Sequence, residues 1–598
     1  MLLIDWLIVV AYLIFTMVLG VYLSRKASGS LVDFFVSGRS LPWWLAGTSM
    51  AATTFSIDTP LYVAGVVGSR GIAGNWEWWS FGIAHVVMIY VFARLWRRSE
   101  VVTDAELTEI RYGGKTAAVL RGVKAFLFAV PINCIGIGYA MLAMVKVVDA
   151  LELWQSVGIE PNESMKLWSV IVVSILVLFY AGFSGLWGVV TTDFFQFFLA
   201  LFGAVVVAIA SVFSVGGMQN LIDRAQANTD FDILSIVPIT FNGGISWSTV
   251  AGIPASAFIA YVFLQWWAFR RSDGGGEFIQ RLVAAKNESE AEKAAWFFNI
   301  LHYVIRTWPW IIVALAAVAI YPDLADRELG YPKLMLDFLP PVLLGVVVAS
   351  LIAAFMSTVS TLINWGASYL TNDLYGRFIK PEATQAELVN VGRITSVIVT
   401  VLGATAAFFA SDVATVFRLV IAIGTGPGLV LILRWFWWRI NAAAELSSMV
   451  VGFLIGLLTS IVPVIQIADF GLRLLFTAGV TTVVWVLIML LTPPESDETL
   501  DNFYRLVRPG GPGWQRQRQR TGVRPLQNLG LEFQRVAASL LLLFGAMFAV
   551  GGFLLLESLT GWLSLIVSVG GWFWLRQLNR QPISPVPRPG LDDDDILL

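Results

Sequence analysis

Between Trp43 and Pro60 the chain is apolar enough at its ends to enter a bilayer, yet its middle reads Gly47-Thr48-Ser49-Met50-Ala51-Ala52-Thr53-Thr54-Phe55-Ser56-Ile57-Asp58-Thr59. A lipid anchor is filled with Leu, Ile, Val and Phe instead. Backbone that leaves the helix inside a bilayer is tolerated only where protein buries it or where it lines a watery cavity. Thr59 suits an N-cap, Pro60 suits a first helical turn, and a residue before proline is biased away from helical angles. The pattern predicts one half-helix ending near Thr54 and another starting near Pro60. Carbonyls around Ala52 to Ser56 then lack amide partners and become hard oxygen ligands for a small alkali cation. A proline kink re-satisfied by neighbouring helices fits the same residues. Asp58 is costly in hydrocarbon unless paired or hydrated, so it either caps the second half-helix or faces a cavity.

Composition removes the soluble alternatives. Of 598 residues 57% are hydrophobic and 13% charged, against about 25% charged in soluble domains. The chain reads as an all-α polytopic protein of the lipid bilayer. Crossing takes about 20 apolar residues, which gives about 15 spans. They fall near 3–24, 42–68, 76–97, 119–149, 166–183, 187–215, 248–270, 294–321, 338–371, 390–410, 412–436, 446–466, 472–492, 532–556 and 560–577.

Basic residues occupy alternate loops: Arg25, Lys26 and Arg39; Arg94, Arg97 and Arg98; Arg270, Arg271, Arg281 and Lys286; Arg377 and Lys380; Arg434 and Arg439; Arg516 to Arg524. These loops are assigned to the cytoplasm, with the N-terminus outside and the C-terminus inside a multi-pass plasma (inner) membrane protein. Residues 493–530 are rich in Pro, Gly, Gln and Arg and read as a solvated juxtamembrane segment. The tail at Asp592 to Asp595 reads as disordered. A net charge of −2 makes no case for nucleic acid. Cys134 is the lone cysteine, and His85 and His302 are too few for an ordinary zinc site. No nucleotide loop, metal-ligand set or nucleophile triad marks an enzyme.

A second polar interruption lies in the ninth span, at Ala353-Ala354-Phe355-Met356-Ser357-Thr358-Val359-Ser360-Thr361. Ala354 shares a helical face with Ser357 and Thr358. Its carbonyl can offer a second lone pair beside the two hydroxyls. With two carbonyls from the broken helix, these make a neutral oxygen set for sodium. Small residues that allow close helix packing are the alternative. A second broken helix is expected in a matching later span, with Gly252-Ile253-Pro254-Ala255-Ser256 as candidate.

Several segments carry a resemblance. They are Phe35 to Trp44, Thr108-Glu109-Ile110-Arg111-Tyr112-Gly113, Tyr180 to Gln196, Ile279 to Lys286 and Asn372-Asp373-Leu374-Tyr375. Together they resemble the sodium/solute symporter family, which includes sodium-coupled sugar, proline, pantothenate and sialic acid transporters. The resemblance covers roughly residues 1–495. It implies a leucine-transporter-like five-plus-five inverted repeat with extra N- and C-terminal helices. The expected division is 1–41 for a peripheral span and loop, 42–440 for a ten-helix core, 441–495 for two peripheral spans, 496–530 for a linker and 531–598 for two extra spans and the tail. The resemblance also implies a sodium ion held by the carbonyls of Ala52, Phe55 and Ala354 and the hydroxyls of Ser357 and Thr358. Asp193 matches an acidic residue near the inner sodium exit, or is a helix-end charge.

Glu77-Trp78-Trp79-Ser80 has the spacing of the family's sugar-contacting Glu and Ser, and also fits an interfacial tryptophan belt. His302 and Arg306 in the eighth span depart from the sugar pattern. Arg306 either binds a substrate carboxylate, neutralises Asp58 or Glu77, or snorkels to the interface. The reading that results is a sodium-coupled importer of a small polar solute, sugar-like or carboxylated. A proton-coupled or uncoupled transporter relaying through Asp58, Glu77, His302 and Asp193 is the alternative in the same fold. A transporter-like membrane sensor is the alternative in another class.

Overall fold

The computed structural model describes residues 1–24, 30–156, 158–160, 164–240, 246–247, 253–410 and 412–580. Arg25, Lys26, Gly252 and the tail at Asp592 to Asp595 lie outside the described residues. Each sequence-derived span contains helix among the described residues, and ten of the helices are long and apolar enough to cross a membrane. The peripheral helix α1 (Leu3–Ser24) precedes α2 (Trp43–Thr53) and α3 (Asp58–Arg70), the halves of one broken span. Next come α4 (Ile72–Ser99), α5 (Gly114–Ala150) and α6 (Met165–Ser214). The second half of the core starts with α7 (Ala255–Ala268) and α8 (Glu277–Ala284). It continues with α9 (Glu288–Ile320), α10 (Leu343–Ile379), α11 (Gln385–Phe409), α12 (Val413–Gly424) and α13 (Gly428–Phe436). Helices α14 (Ala442–Ile461) and α15 (Phe470–Leu491) follow. The linker helix α16 (Asp497–Val507) leads to the closing hairpin of α17 (Leu529–Leu554) and α18 (Ser558–Asn579).

The helical backbone of α6 covers two expected spans. Lys166 near its start donates to the carbonyl of Ala410, and Trp187 donates to that of Ser37 beside α2. Just beyond its end, Asn228 donates to the carbonyls of Val318 and Ala319 at the finish of α9. The start and finish of α6 thus share one end of the molecule while residue 187 lies at the other, so α6 is two antiparallel arms.

The first break falls where the sequence places it, but the restart is earlier. Helix α2 is capped at Thr54 and α3 already begins at Asp58 after an Ile57 cap that makes no side-chain bond. Pro60 therefore sits inside the first turn, where its missing N–H leaves no helical bond unmade. The second break is not at Gly252 to Ser256. Pro254 is the extended N-cap that starts α7, and the interruption is Phe269 to Gly276, at the far end of the expected span. Gly274 and Gly276 there take φ of +78° and +76°, a left-handed conformation that only glycine adopts freely. Arg270, Arg281 and Arg434, read from sequence as loop charges, are consequently buried inside the core.

The linker is also docked rather than solvated. Trp514 is fully buried, donates 2.8 Å to the carbonyl of Trp435, and stacks near Phe503 and Arg111. Arg111, from the Glu-x-Arg-Tyr-Gly segment, donates to the carbonyls of Arg434, Trp437 and Ile440 at the end of α13. Gln527 donates to the carbonyl of Val91. Composition hides this because the segment's few aromatic residues all face one way. Removing such a buried indole costs about 3–5 kcal/mol. We expect Trp514→Ala to lower the melting temperature and to speed tryptic cleavage at Arg516, Arg518 and Arg520. An unchanged cleavage rate would contradict the docked linker.

Candidate functional site

The site is built around the end of α2. Its last carbonyls have no helical N–H to accept, and Arg306 and Thr358 supply donors. Arg306 of α9 is fully buried and donates to the carbonyls of Ala51 and Thr54, the latter at 2.8 Å, and to the Thr54 hydroxyl at 2.9 Å. Its guanidinium also lies over the rings of Phe55 and Trp310. Thr358 of α10 donates to the carbonyl of Thr53 at 2.9 Å. His302 meets the Thr54 hydroxyl through Nδ1 at 3.2 Å.

Arg306 thus has a different task from those expected of it. It holds the broken helix, is not among the residues lining the cavity, makes no ion pair with Asp58 or Glu77, and does not reach the interface. The residues proposed for sodium converge on the same place. Thr358 donates to the Thr53 carbonyl at the end of α2, its neighbour Ser357 donates to Asp193, and the Ala52 carbonyl accepts from the Phe55 N–H at 2.9 Å. Asp193 of α6 is buried and joined to this group. It accepts from Ser357 at 2.8 Å and from Ser49, with Arg281 at 3.7 Å. Arg281 itself donates to Ser49 at 3.1 Å and Thr361 at 2.6 Å.

Below the break, a central cavity is walled by both halves of the core. Thr54, Asp58, Trp78, Tyr139, His302 and Thr358 are among its lining residues. Asp58 is buried and its Oδ1 has no hydrogen-bond partner, so the cavity-facing reading of this residue fits better than the capping one. His85 and Tyr303 form a wall, joined at 2.8 Å between Nδ1 and the phenol oxygen.

Glu77 and Ser80 stand apart. Glu77 is fully buried in an ion cluster, with Arg418 of α12 at 2.9 Å and Arg70 of α3 at 3.1 Å. Its backbone carbonyl accepts from Gln265 at 2.7 Å. The Glu-x-x-Ser spacing therefore marks a link between α3, α4, α7 and α12 and not a cavity wall. The residues missed by sequence reasoning are Arg270, Arg271 and Glu277, which line the cavity from the second break. The signal was present as a Gly274-Gly275-Gly276 run between the apolar stretch 255–268 and the short amphipathic stretch 277–284. It reads as a loop only if the charges beside it are assigned to water.

Arg306→Gln is expected to destabilise the fold by about 2–5 kcal/mol, because buried carbonyls lose charge-assisted donors. A melting temperature equal to that of the unaltered protein would show that other contacts hold the break.

Comparison with known proteins agrees with this geometry. The family model described as "Sodium:solute symporter family" matches residues 34–452. A sodium/glucose cotransporter of Vibrio parahaemolyticus is 26% identical over 527 residues, covering 83% of this chain and 92% of the relative. A sodium/myo-inositol cotransporter 2 of Mus musculus is 24% identical over 495 residues, covering 76% and 69% respectively. The solved structure of a sodium-coupled sialic acid symporter in a substrate-bound outward-open state superposes with a TM-score of 0.65 at 20% identity, covering 83% of this chain and 99% of its own. That likeness is one of fold, the leucine-transporter-like architecture of two repeats that each open on a broken helix.

Proposed function

Because this chain belongs to the sodium:solute symporter family, we propose that it imports a small polar organic solute together with sodium by alternating access. The observation that carries the reading is the Thr358 hydrogen bond to the open end of α2, with Ser357 on Asp193 beside it and a cavity lined by both halves of the core. In this proposal sodium is ligated by the carbonyls of Ala52, Phe55 and Ala354 and the hydroxyls of Ser357 and Thr358. The Thr358-to-Thr53 hydrogen bond is one that a cation at this place replaces. Asp193, one hydroxyl away, attracts the ion and marks its route out. The solute occupies the cavity, with Asp58 and His302 offering polar groups and Trp78 an apolar face.

Coupling follows from population shift. An ion that binds one of two alternating states better than the other moves the equilibrium by its differential affinity and no further. Two clusters sit where the alternating contacts belong. Ser49, Asp193, Arg281 and Thr361 tie α2 and α8 to α6 and α10 on one side of the cavity. Glu77, Arg70 and Arg418 tie α3, α4 and α12 on the other.

Ser357→Ala combined with Thr358→Ala removes two oxygen ligands while keeping volume. Each bond to a charged group is worth about 1.5–3 kcal/mol, so the sodium concentration for half-maximal uptake in reconstituted vesicles should rise by roughly tenfold or more. Unchanged sodium dependence rules the site out. Uptake driven equally by a proton gradient without sodium favours the proton-coupled alternative.

The orientation belongs to the same proposal: N-terminus outside, residues 493–530 in the cytoplasm. In the fold Asp5 accepts from the N–H groups of Val342 and Gly345, and the linker packs at the opposite end against Arg98 and Arg111. On a Cys134→Ser background, Leu2→Cys should react with an impermeant maleimide from outside intact cells and Gln519→Cys only after permeabilisation. Labelling of both from one side would contradict this topology.

A further inference from the structure

The second break carries an arginine that nothing described so far uses. Arg270 is 2% exposed and lines the cavity, yet its Nε and Nη1 have no hydrogen-bond partner among the described residues. Its neighbour Arg271 is neutralised by Glu277 at 2.6 Å. The side chain of Arg270 has aromatic partners instead: its guanidinium carbon lies 5.4 Å from the ring centre of Phe128, 5.5 Å from Phe269 and 5.3 Å from Trp365. Aromatic faces offset only part of the desolvation of a buried cation. A buried charge without an acid partner is the arrangement a binding site keeps and a purely structural core replaces.

The backbone fixes Arg270 in this place. Its N–H donates 2.9 Å to the carbonyl of Gly424, and the N–H of Gly426 donates 2.9 Å to the carbonyl of Ala268. The two interruptions, α7 to α8 and α12 to α13, thereby clasp each other. The first turn of α8 begins at Gly276, which supplies no side-chain cap. Glu277 in that first turn lines the same cavity, with Oε1 on Arg271 and Oε2 without a hydrogen-bond partner among the described residues. Asp58, with its own unpartnered Oδ1, lines the same cavity from the first break.

We propose that Arg270 binds a carboxylate of the transported solute, and that the solute is a small monocarboxylate carrying hydroxyl or ammonium donors for Asp58. Guanidinium and carboxylate geometries match for paired hydrogen bonds. The guanidinium edge of Arg270 and the Oδ1 of Asp58 then each gain a partner of complementary chemistry. The inference rests on the symporter reading of the cavity and adds to it the class of solute.

The test uses the purified full-length protein in detergent, followed by thermal melting. Sodium is compared with potassium without solute, which probes the symporter reading alone. D-glucuronate is then compared with D-glucose, and L-lactate with propane-1,2-diol, each in sodium. At least one carboxylate should raise the melting temperature where its neutral counterpart does not. Arg270→Gln should weaken that response roughly ten- to hundredfold, and Arg270→Lys should keep part of it. A sodium response retained in either variant reports that it is folded. A neutral counterpart that binds as well, an undiminished carboxylate response in Arg270→Gln, or no response to any carboxylate overturns the assignment. Loss of the sodium response in the unaltered protein overturns the symporter reading instead, and leaves the Arg270 contact to be judged by the carboxylate arm.

Discussion

Everything in this fold depends on how the backbone is satisfied where helices stop inside the protein. A bilayer supplies no water to carbonyls that lose their amide partners, and each such group costs several kcal/mol if left bare. At the first break the solution is side chains: Arg306, Thr358 and Thr54 approach the carbonyls of residues 51 to 54. At the second it is backbone. Phe269 and Thr425 form an isolated antiparallel bridge, so the interrupted strands of two helices supply each other's partners. The two breaks are therefore chemically unlike. The first offers carbonyl and hydroxyl oxygens and suits a cation. The second has used its backbone groups and leaves a guanidinium edge, which suits an anion.

In the proposed scheme this difference assigns cation and solute to separate elements that are hydrogen-bonded to each other. The near end of α2 is tied to α8 through the paired backbone of Leu41 with Ala284 and Lys286, and through Ser49 with Arg281. In that scheme an ion at α2 takes up Thr358, whose neighbour Ser357 bonds Asp193 in the cluster with Arg281 that anchors α8 and the segment bearing Arg270. A network with shared members of this kind is what allows an ion to bias a neighbouring site, since the members cannot all keep their partners in both arrangements.

The sequence was legible wherever a pattern is local. Hydropathy located the apolar helices, ten of them long enough to cross a membrane among the described residues, and the hydroxyl-rich centre of 43–60 located the first break within a few residues. The hydroxyl pair at Ser357 and Thr358 was legible in the same way. What was not legible is pairing. Nothing in Glu77 announces that Arg418, far along the chain, neutralises it, and Arg306 looks like a ligand until its donors are seen on Ala51 and Thr54. Charges were also misassigned by a rule about loops. Arg270 and Arg281 follow an apolar run, as cytoplasmic arginines do, but the run continues in α8 after a glycine-rich gap. A short amphipathic half-helix is too brief to register as part of a span.

The C-terminal hairpin outside the family match belongs to this argument, because it constrains the same helices. Gly551 of α17 leaves room for the ring of Trp308, where any side chain would overlap the indole, and the Trp308 Nε1 donates 2.8 Å to the carbonyl of Met547. Phe544 and Phe548 pack against Trp76 and Trp79 of α4. Trp308 is two residues from Arg306, which clamps the first break, and Trp76 adjoins Glu77, which holds the far ion cluster. The hairpin thus backs the fixed side of both features. Packed interiors deform little under such contact. In the proposed transport scheme the hairpin therefore belongs to the fixed part, and the clasped breaks of α7–α8 and α12–α13 lie outside it.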